Sequence, residues 1–449
     1  MNGLIERIAV PFTGDGSGEG PLSWGQQSIW KEMAISGSSL ALGAVRDLEP
    51  GATVDQYVEE YRFYLSRFPS MRTLLRFAPD GAVTQVVWDS GTAHIEVYEA
   101  VDRDPAAVAA EVSAQYYFVP FDYEREWPMR MALVRQAGAL THLVVAISHH
   151  AADPTAAMAM FEDLTNRDPV TGEPPRPPGL QPLEQARLQQ TPSALRQNEA
   201  ALRYWQTQLR ALPSPRLPQP AGDAAAEHRY WELDLLSPAL YQALRAVAAR
   251  LGVTTTPVLY AAYAEALGHA TGTTRVATMI TVNSRFRPGL ADAAGHMSHH
   301  GLCTLDLADG GFDDLVLLAR RRLLAAHKHA YYSQVDLDRI IADVSREHGL
   351  SFDHLCLFNN RRSEDGPIET VPTAADVRAA GPTTLEWREL PDLHKPLMVH
   401  INDAADALSV RAQLNTTAIS RDDLTALLRR MEATVVDAAL YAGAEPAPQ

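Results

Sequence analysis

An apolar run, Leu143-Val144-Val145-Ala146-Ile147, ends in the polar cluster Ser148-His149-His150-Ala151-Ala152-Asp153-Pro154. The five apolar residues read as a buried strand. Asp153 fits the N-cap of a following helix and Pro154 its first residue, ahead of Thr155-Ala156-Ala157-Met158-Ala159-Met160-Phe161. A histidine at that junction is rigid on its backbone side and open on its imidazole side. That geometry suits a general base acting on a substrate in a cleft. In an extended chain His149 and His150 point to opposite sides, so the two do not converge on one metal ion.

The other candidate residues lie far along the chain. Val282-Asn283-Ser284-Arg285-Phe286-Arg287-Pro288 offers an arginine next to a strand end, and His296, His299 and His300 follow it. On a helix, the i, i+3, i+4 spacing of those three histidines would suit zinc. The two cysteines, Cys303 and Cys356, give neither a metal spacing nor a disulfide framework.

Positioning these residues takes a large, mixed fold. At 449 residues the chain exceeds one ordinary core, so two lobes are expected. Hydrophobic residues at 46% and charged residues at 21% fit a soluble globular protein. Net charge is −16, from 39 basic and 55 acidic residues, which argues against nucleic acid or an anionic membrane as partner. The start, Met1-Asn2-Gly3-Leu4-Ile5-Glu6-Arg7, lacks a long apolar segment and none follows, so a cytoplasmic protein is expected.

Helices and strands alternate. Ser23 fits an N-cap for a helix through Met33, and Val54 to Phe68 has helical periodicity. Thr73 to Phe77 and Val83 to Trp88 flank Pro79-Asp80-Gly81 as a hairpin. A helix is expected over Pro105 to Tyr117. Strands are expected over Met129 to Arg135 and Thr141 to Ile147, with Ala137-Gly138 between them. From Asp168 to Gly179 the chain is rich in Pro and Gly and reads as an extended connection. The division is therefore an N-terminal lobe over 1–172, a connection over 173–192 and a C-terminal lobe over 193–449. The second lobe is expected to carry helices from Ser193 to Leu209, Pro238 to Gly252, Thr254 to Leu267, Phe312 to Tyr332 and Asp422 to Ala439. Its strands are expected at Val276 to Val282, Leu397 to Ile401 and Leu408 to Leu414. A second Pro-rich stretch, Pro213 to Pro220, and the tail after Gly443 are read as irregular.

With these elements placed, the chain resembles a condensation domain of nonribosomal peptide synthesis, in the chloramphenicol-acetyltransferase-like superfamily. Pro21-Leu22-Ser23-Trp24-Gly25-Gln26-Gln27-Ser28-Ile29-Trp30 resembles the family's opening motif. Arg67-Phe68-Pro69-Ser70-Met71-Arg72-Thr73 resembles its "rHp-LRt" segment, with Phe68 where His is usual. Val119-Pro120-Phe121-Asp122 with Pro128-Met129-Arg130 resembles "pFDl…p-lR", and Tyr204-Trp205 resembles the "yW" after the connection. Arg285 with the later Gly295 resembles the arginine motif. Each match is weak alone; their order and spacing are specific.

The family's active-site motif is His-His-x-x-x-Asp-Gly. Starting it at Ser148 needs no gap. That register makes His149 the catalytic histidine, Ser148 the replacement for the first His and Pro154 the replacement for the Gly; His150 is a bystander. The resemblance implies that Asp153 is structural and pairs with Arg285. It implies an α/β fold of two lobes in a V-shaped pseudo-dimer, with mostly antiparallel sheets, flanking helices and a tunnel to His149. His150, His296, His299, His300 and Asn283 are candidate tunnel-lining residues, and no metal and no resident cofactor are expected. Arg361-Arg362 reads as a solvated loop or a contact for a phosphopantetheine arm.

The implied function is a free-standing acyltransferase that moves a carrier-bound acyl or aminoacyl group to an amine, in nonribosomal peptide or antibiotic biosynthesis. Its partners would be acyl or peptidyl carrier proteins and a small amine or alcohol acceptor, and the protein would be a monomer. Two alternatives stand beside it. One is an ester-forming acyltransferase using an alcohol or a CoA thioester. The other is a degenerate domain that recruits a partner enzyme, a reading that Ser148 and Pro154 favour.

Overall fold

A computed structural model describes residues 3–168, 170–212, 228–307, 310–349, 352, 355–362, 368, 370–391, 393 and 395–441. The stretch Pro213 to Pro220 and the tail after Gly443 lie outside the described residues. The chain divides into two compact units. One comprises Met1–Asn198, Asn283–His299 and Ser333–Val335; the other comprises Glu199–Val282, His300–Tyr332 and Asp336–Gln449. The arginine motif, which lies in the second half of the sequence, therefore packs with the first unit.

The first unit is built on a five-stranded sheet. Its spatial order is Leu4–Thr13, Ser90–Glu99, Met129–Gln136, Ala139–Ile147, Leu42–Asp47. All neighbours are antiparallel except Ser90–Glu99 with Met129–Gln136. Ala137 and Gly138, at φ 50° and 86°, join the two central strands. Two successive positive φ values are what a tight hairpin requires. A second, three-stranded antiparallel sheet contains the expected hairpin, Thr73–Phe77 with Val83–Val87, and adds Gly18–Pro21.

Local sequence sets the helix starts. Ser23 and Gln26 form a reciprocal capping box ahead of Trp24–Ser36, as Thr53 and Gln56 do ahead of Val54–Arg67. Asp104 caps Pro105–Phe118 with Pro at the first position. The apolar faces of Val54–Arg67 and Pro154–Thr165 meet the sheet in one cluster that includes Tyr61, Leu65, Ile95, Met131, Leu143 and Met160. Ala294 joins that cluster from the arginine segment. The connection holds one short helix, Pro182–Leu188.

The second unit has a seven-stranded sheet with antiparallel and parallel pairs. Leu233, Leu235, Val399, Ile401, Val410 and Ala412 turn one face of it into a core with the helices Pro238–Leu251, Thr255–Thr271 and Arg421–Tyr441. The single helix expected over Phe312 to Tyr332 ends at Lys328, and a new helix runs over Gln334–His348. Between them the Tyr332 hydroxyl donates to His300 O at 2.7 Å, which holds the chain in a non-helical path. Among the described residues no helix is long and apolar enough to cross a membrane.

Candidate active site

The strand Ala139–Ile147 carries the histidine loop. Ile147 pairs with Met129 on one side and Leu42 on the other. The ladder continues past the strand: Ser148 N donates to Pro128 O at 2.8 Å and His149 N to Ser39 O at 3.2 Å. A tight turn follows, closed by Ala151 N donating to Ser148 O at 3.0 Å. Asp153 then caps Pro154–Thr165, with Pro154 at the first helical position. The backbone around His149 is thus fixed on both sides.

The two histidines are in opposite situations. His149 is half-buried, and its Nδ1 lies 2.9 Å from Ala152 O. A carbonyl only accepts, so the proton sits on Nδ1 and Nε2 keeps its lone pair. Burial holds the His149 pKa below its ordinary value, partly offset by the Ala152 carbonyl and by the Asp153 charge. The ring is therefore a neutral base at neutral pH. His150 is 2% exposed, its Nδ1 is 2.9 Å from Ser148 Oγ, and Tyr123 packs edge-on at 5.5 Å. Burial, then the neighbouring His149, pushes its pKa down to about 4. It is sealed behind the loop by a polar chain in which Tyr123 Oη meets Ser39 Oγ at 2.7 Å and Ser39 Oγ accepts from Phe121 N at 2.8 Å.

Asp153 is a hub. Its Oδ1 accepts from Ala156 N at 2.9 Å, completing the cap. Its Oδ2 accepts from Arg285 Nη1 at 2.7 Å and from Met297 N at 2.9 Å. The other arm of Arg285, Nη2, donates to Ala293 O at 3.0 Å and Gly295 O at 3.1 Å. The carboxylate thus serves as both cap and ion-pair partner, and the pair is nearly dry, with side chains 2% and 10% exposed. Asn283 lies beside this pair. Its Oδ1 caps Arg285 N at 3.1 Å, and its Nδ2 is 3.5 Å from Thr155 Oγ1.

The three later histidines separate. His296 lies ring to ring with His149, centroids 4.9 Å apart and planes at 79°. His299 is 1% exposed, with Nδ1 3.4 Å from Ser284 Oγ. His300 belongs to the second unit. His299 and His300 are successive residues of the strand Ser298–Asp306, so they point to opposite faces, and the helical spacing does not apply. Among the described residues no group of three or more His, Cys, Asp and Glu is set to hold a metal.

Several contributors escaped sequence reasoning. Met297 acts through its backbone N–H, which any residue but proline supplies. Tyr123 and Ser39 are polar residues without spacing to mark them. Asp163, 5% exposed at its side chain, binds Arg67 at 2.7 Å and Arg176 at 3.1 Å, tying the far end of the helix to the connection. A cavity of about 240 Å³ lined by Arg285, Thr155, Phe68 and Met160 lies beside this helix. A larger one of about 810 Å³, lined by Asp15, Asp89 and Glu173, includes none of His149, Asp153, Arg285 and His296.

The same fold is seen in solved structures of condensation domains. Residues 21–445 match the condensation domain family, and the chain belongs to that family. A structure described as the basis of condensation domain-mediated chain release from the enacyloxin polyketide synthase is similar at TM-score 0.70 and 20% identity, over 97% of this chain and 85% of that one. A chain in the complex of the X-domain and OxyB from teicoplanin biosynthesis gives TM-score 0.72 and 17% identity, over 98% and 97%. The PapA2 acyl transferase gives TM-score 0.68 and 16% identity, over 94% and 93%. No curated protein matches the chain in sequence.

Proposed function

We propose that this protein is a condensation enzyme that joins a carrier-bound acyl or aminoacyl thioester to an amine, with His149 as the base. The observation that carries the reading is His149 itself: Nδ1 is locked on the Ala152 carbonyl, and Nε2 keeps its lone pair. Family membership supplies the reaction class, amide- or ester-forming condensation of the kind found in nonribosomal peptide synthesis. The amine attacks the thioester carbonyl and loses a proton to Nε2. The tetrahedral intermediate then expels the thiolate, and the imidazolium returns the proton to it, leaving amide, thiol and neutral His149. Base catalysis of this kind is typically worth about 10²–10⁴-fold, and holding both substrates together can add more.

Pro154 and Ser148 favour a second reading, a domain that recruits a partner enzyme. Proline at 154 has no N–H to offer a developing oxyanion, and Ser148 is fully enclosed and bonded to His150. One experiment separates the two. Acyl- and aminoacyl-loaded carrier proteins are incubated with the protein and panels of amines and alcohols, and product is read by intact mass. His149→Ala should lower transfer about 10²–10⁴-fold, and His150→Ala far less. Transfer that survives His149→Ala refutes the base assignment. No transfer from any loaded carrier, together with measurable binding of a synthetase or tailoring enzyme, favours recruitment.

A further inference from the structure

The segment 293–297 is held at both ends by one carboxylate. Arg285, paired to Asp153 Oδ2, grips the Ala293 and Gly295 carbonyls, while Met297 N donates directly to the same oxygen. Gln185 Nε2 reaches Met297 Sδ at 3.1 Å. From the other side Gly25 presses on the segment: a Cβ there would stand 1.9 Å from His296 O. Between these anchors His296, 6% exposed, sets its ring edge-to-face with His149 at 4.9 Å.

We propose that His296 is a positioning residue for His149, and that the Asp153–Arg285 pair acts on the reaction by clamping His296 against it. This rests on His149 being the base. The Ala152 carbonyl restrains the His149 ring at one nitrogen only, and a half-turn of the ring about Cβ–Cγ would carry Nδ1 off that carbonyl, release the tautomer and put Cε1 where Nε2 stood. A second ring packed at 79° blocks that rotation and favours the edge-to-face arrangement that aromatic rings prefer. The clamp thus keeps Nδ1 on the carbonyl and Nε2 outward. The contribution comes from the ring's shape and not from a proton it carries.

The test compares His296→Ala with His296→Phe, which restores an aromatic ring without nitrogens. Two readouts are used, turnover of a loaded carrier and the ¹⁵N signals of histidine-labelled protein. We expect His296→Ala to lower kcat about tenfold, or about 1.4 kcal/mol, with KM unchanged, and to convert His149 from one tautomer to a mixture. His296→Phe should recover kcat to within about threefold and keep the single tautomer. A wild-type tautomer in His296→Ala overturns the proposal. So does a His296→Phe protein that loses as much turnover as His296→Ala while His149 keeps its tautomer, because a nitrogen of His296 is then what matters. If no variant and no wild-type protein turns over, the base reading fails, and the tautomer signals still decide whether His296 positions His149.

Discussion

Arg285→Ala removes four bonds at once: the 2.7 Å pair with Asp153, the donations to the Ala293 and Gly295 carbonyls and a longer one, 3.4 Å, to Asn283 Oδ1. Breaking one side of a buried pair typically costs about 3–5 kcal/mol. The lower end applies, because Ala156 N and Met297 N still solvate the Asp153 carboxylate. Asp153→Ala should cost more, about 4–5 kcal/mol, since it orphans both N–H groups and strands the buried guanidinium. Asp153→Asn is the sharper probe. Its amide can turn its oxygen to Arg285 and Met297, but its NH₂ then faces Ala156 N and the helix loses its cap, worth about 1 kcal/mol. Weakening two charge-assisted bonds adds about another 1 kcal/mol, so the isostere should lose about 2 kcal/mol in total.

A chain of two units need not unfold in one step, so a single melting curve is a poor judge. Hydrogen exchange of peptides spanning 285–299 reads the local opening directly. A loss of about 3 kcal/mol opens the segment about 10²-fold more often. Arg285→Ala should show that, and the Asp153→Ala, Arg285→Ala double variant should cost little more than Asp153→Ala alone, because the two share their bonds. Exchange unchanged by Arg285→Ala, or strictly additive costs, would refute the clamp.

Three further outcomes follow from the same geometry. With an acceptor of low basicity, kcat/KM should be flat at neutral pH and fall on acidification, with an apparent pKa below the ordinary histidine value of about 6.5; a limb lying above pH 7 contradicts a desolvated His149. His150 is neutral in the fold with a pKa near 4 and takes up its proton near 6.5 when unfolded, so its contribution is present above that pH and lost as pH falls from 6.5 towards 4. That loss amounts to about 3 kcal/mol, and His150→Phe should flatten the acid arm of a stability–pH curve, which urea titrations at stepped pH would show. Gly25→Ala should speed hydrogen exchange in peptides spanning 285–299 and lower turnover, because its Cβ would collide with His296 O; a wild-type-like variant would mean that the segment is not pressed there.

How much of this was legible in the chain depends on how far apart the interacting residues lie. The site's near half is local. The apolar run, the capping Asp153 and Pro154 specify strand, turn and helix within about fifteen residues, and short-range rules suffice. The family resemblance is also a property of sequence, because it rests on the order of motifs. Other strands show where local signals fail. Leu4–Thr13 is mostly exposed and contains Pro11, as an edge strand can, so it has no clean apolar alternation. In Ser298–Asp306 the spacing of the histidines carries no sign of the strand, which only the family resemblance indicates.

The far half of the site exists only in three dimensions. Asp153 and Arg285 are 132 positions apart, and nothing in their spacing says that one carboxylate oxygen takes both a guanidinium and the Met297 N–H. Membership of 283–299 in the first unit reverses the linear order of the chain. The resemblance sets His149 and His150 apart by register alone, whereas tertiary burial sets them apart in solvent and partners although they are adjacent and identical in type. Sequence fixes which groups are available and their ordinary pKa. Packing sets their solvation, their tautomer and the ring each one faces, because desolvation and hydrogen bonding arise from atoms that are remote in the chain and near in space.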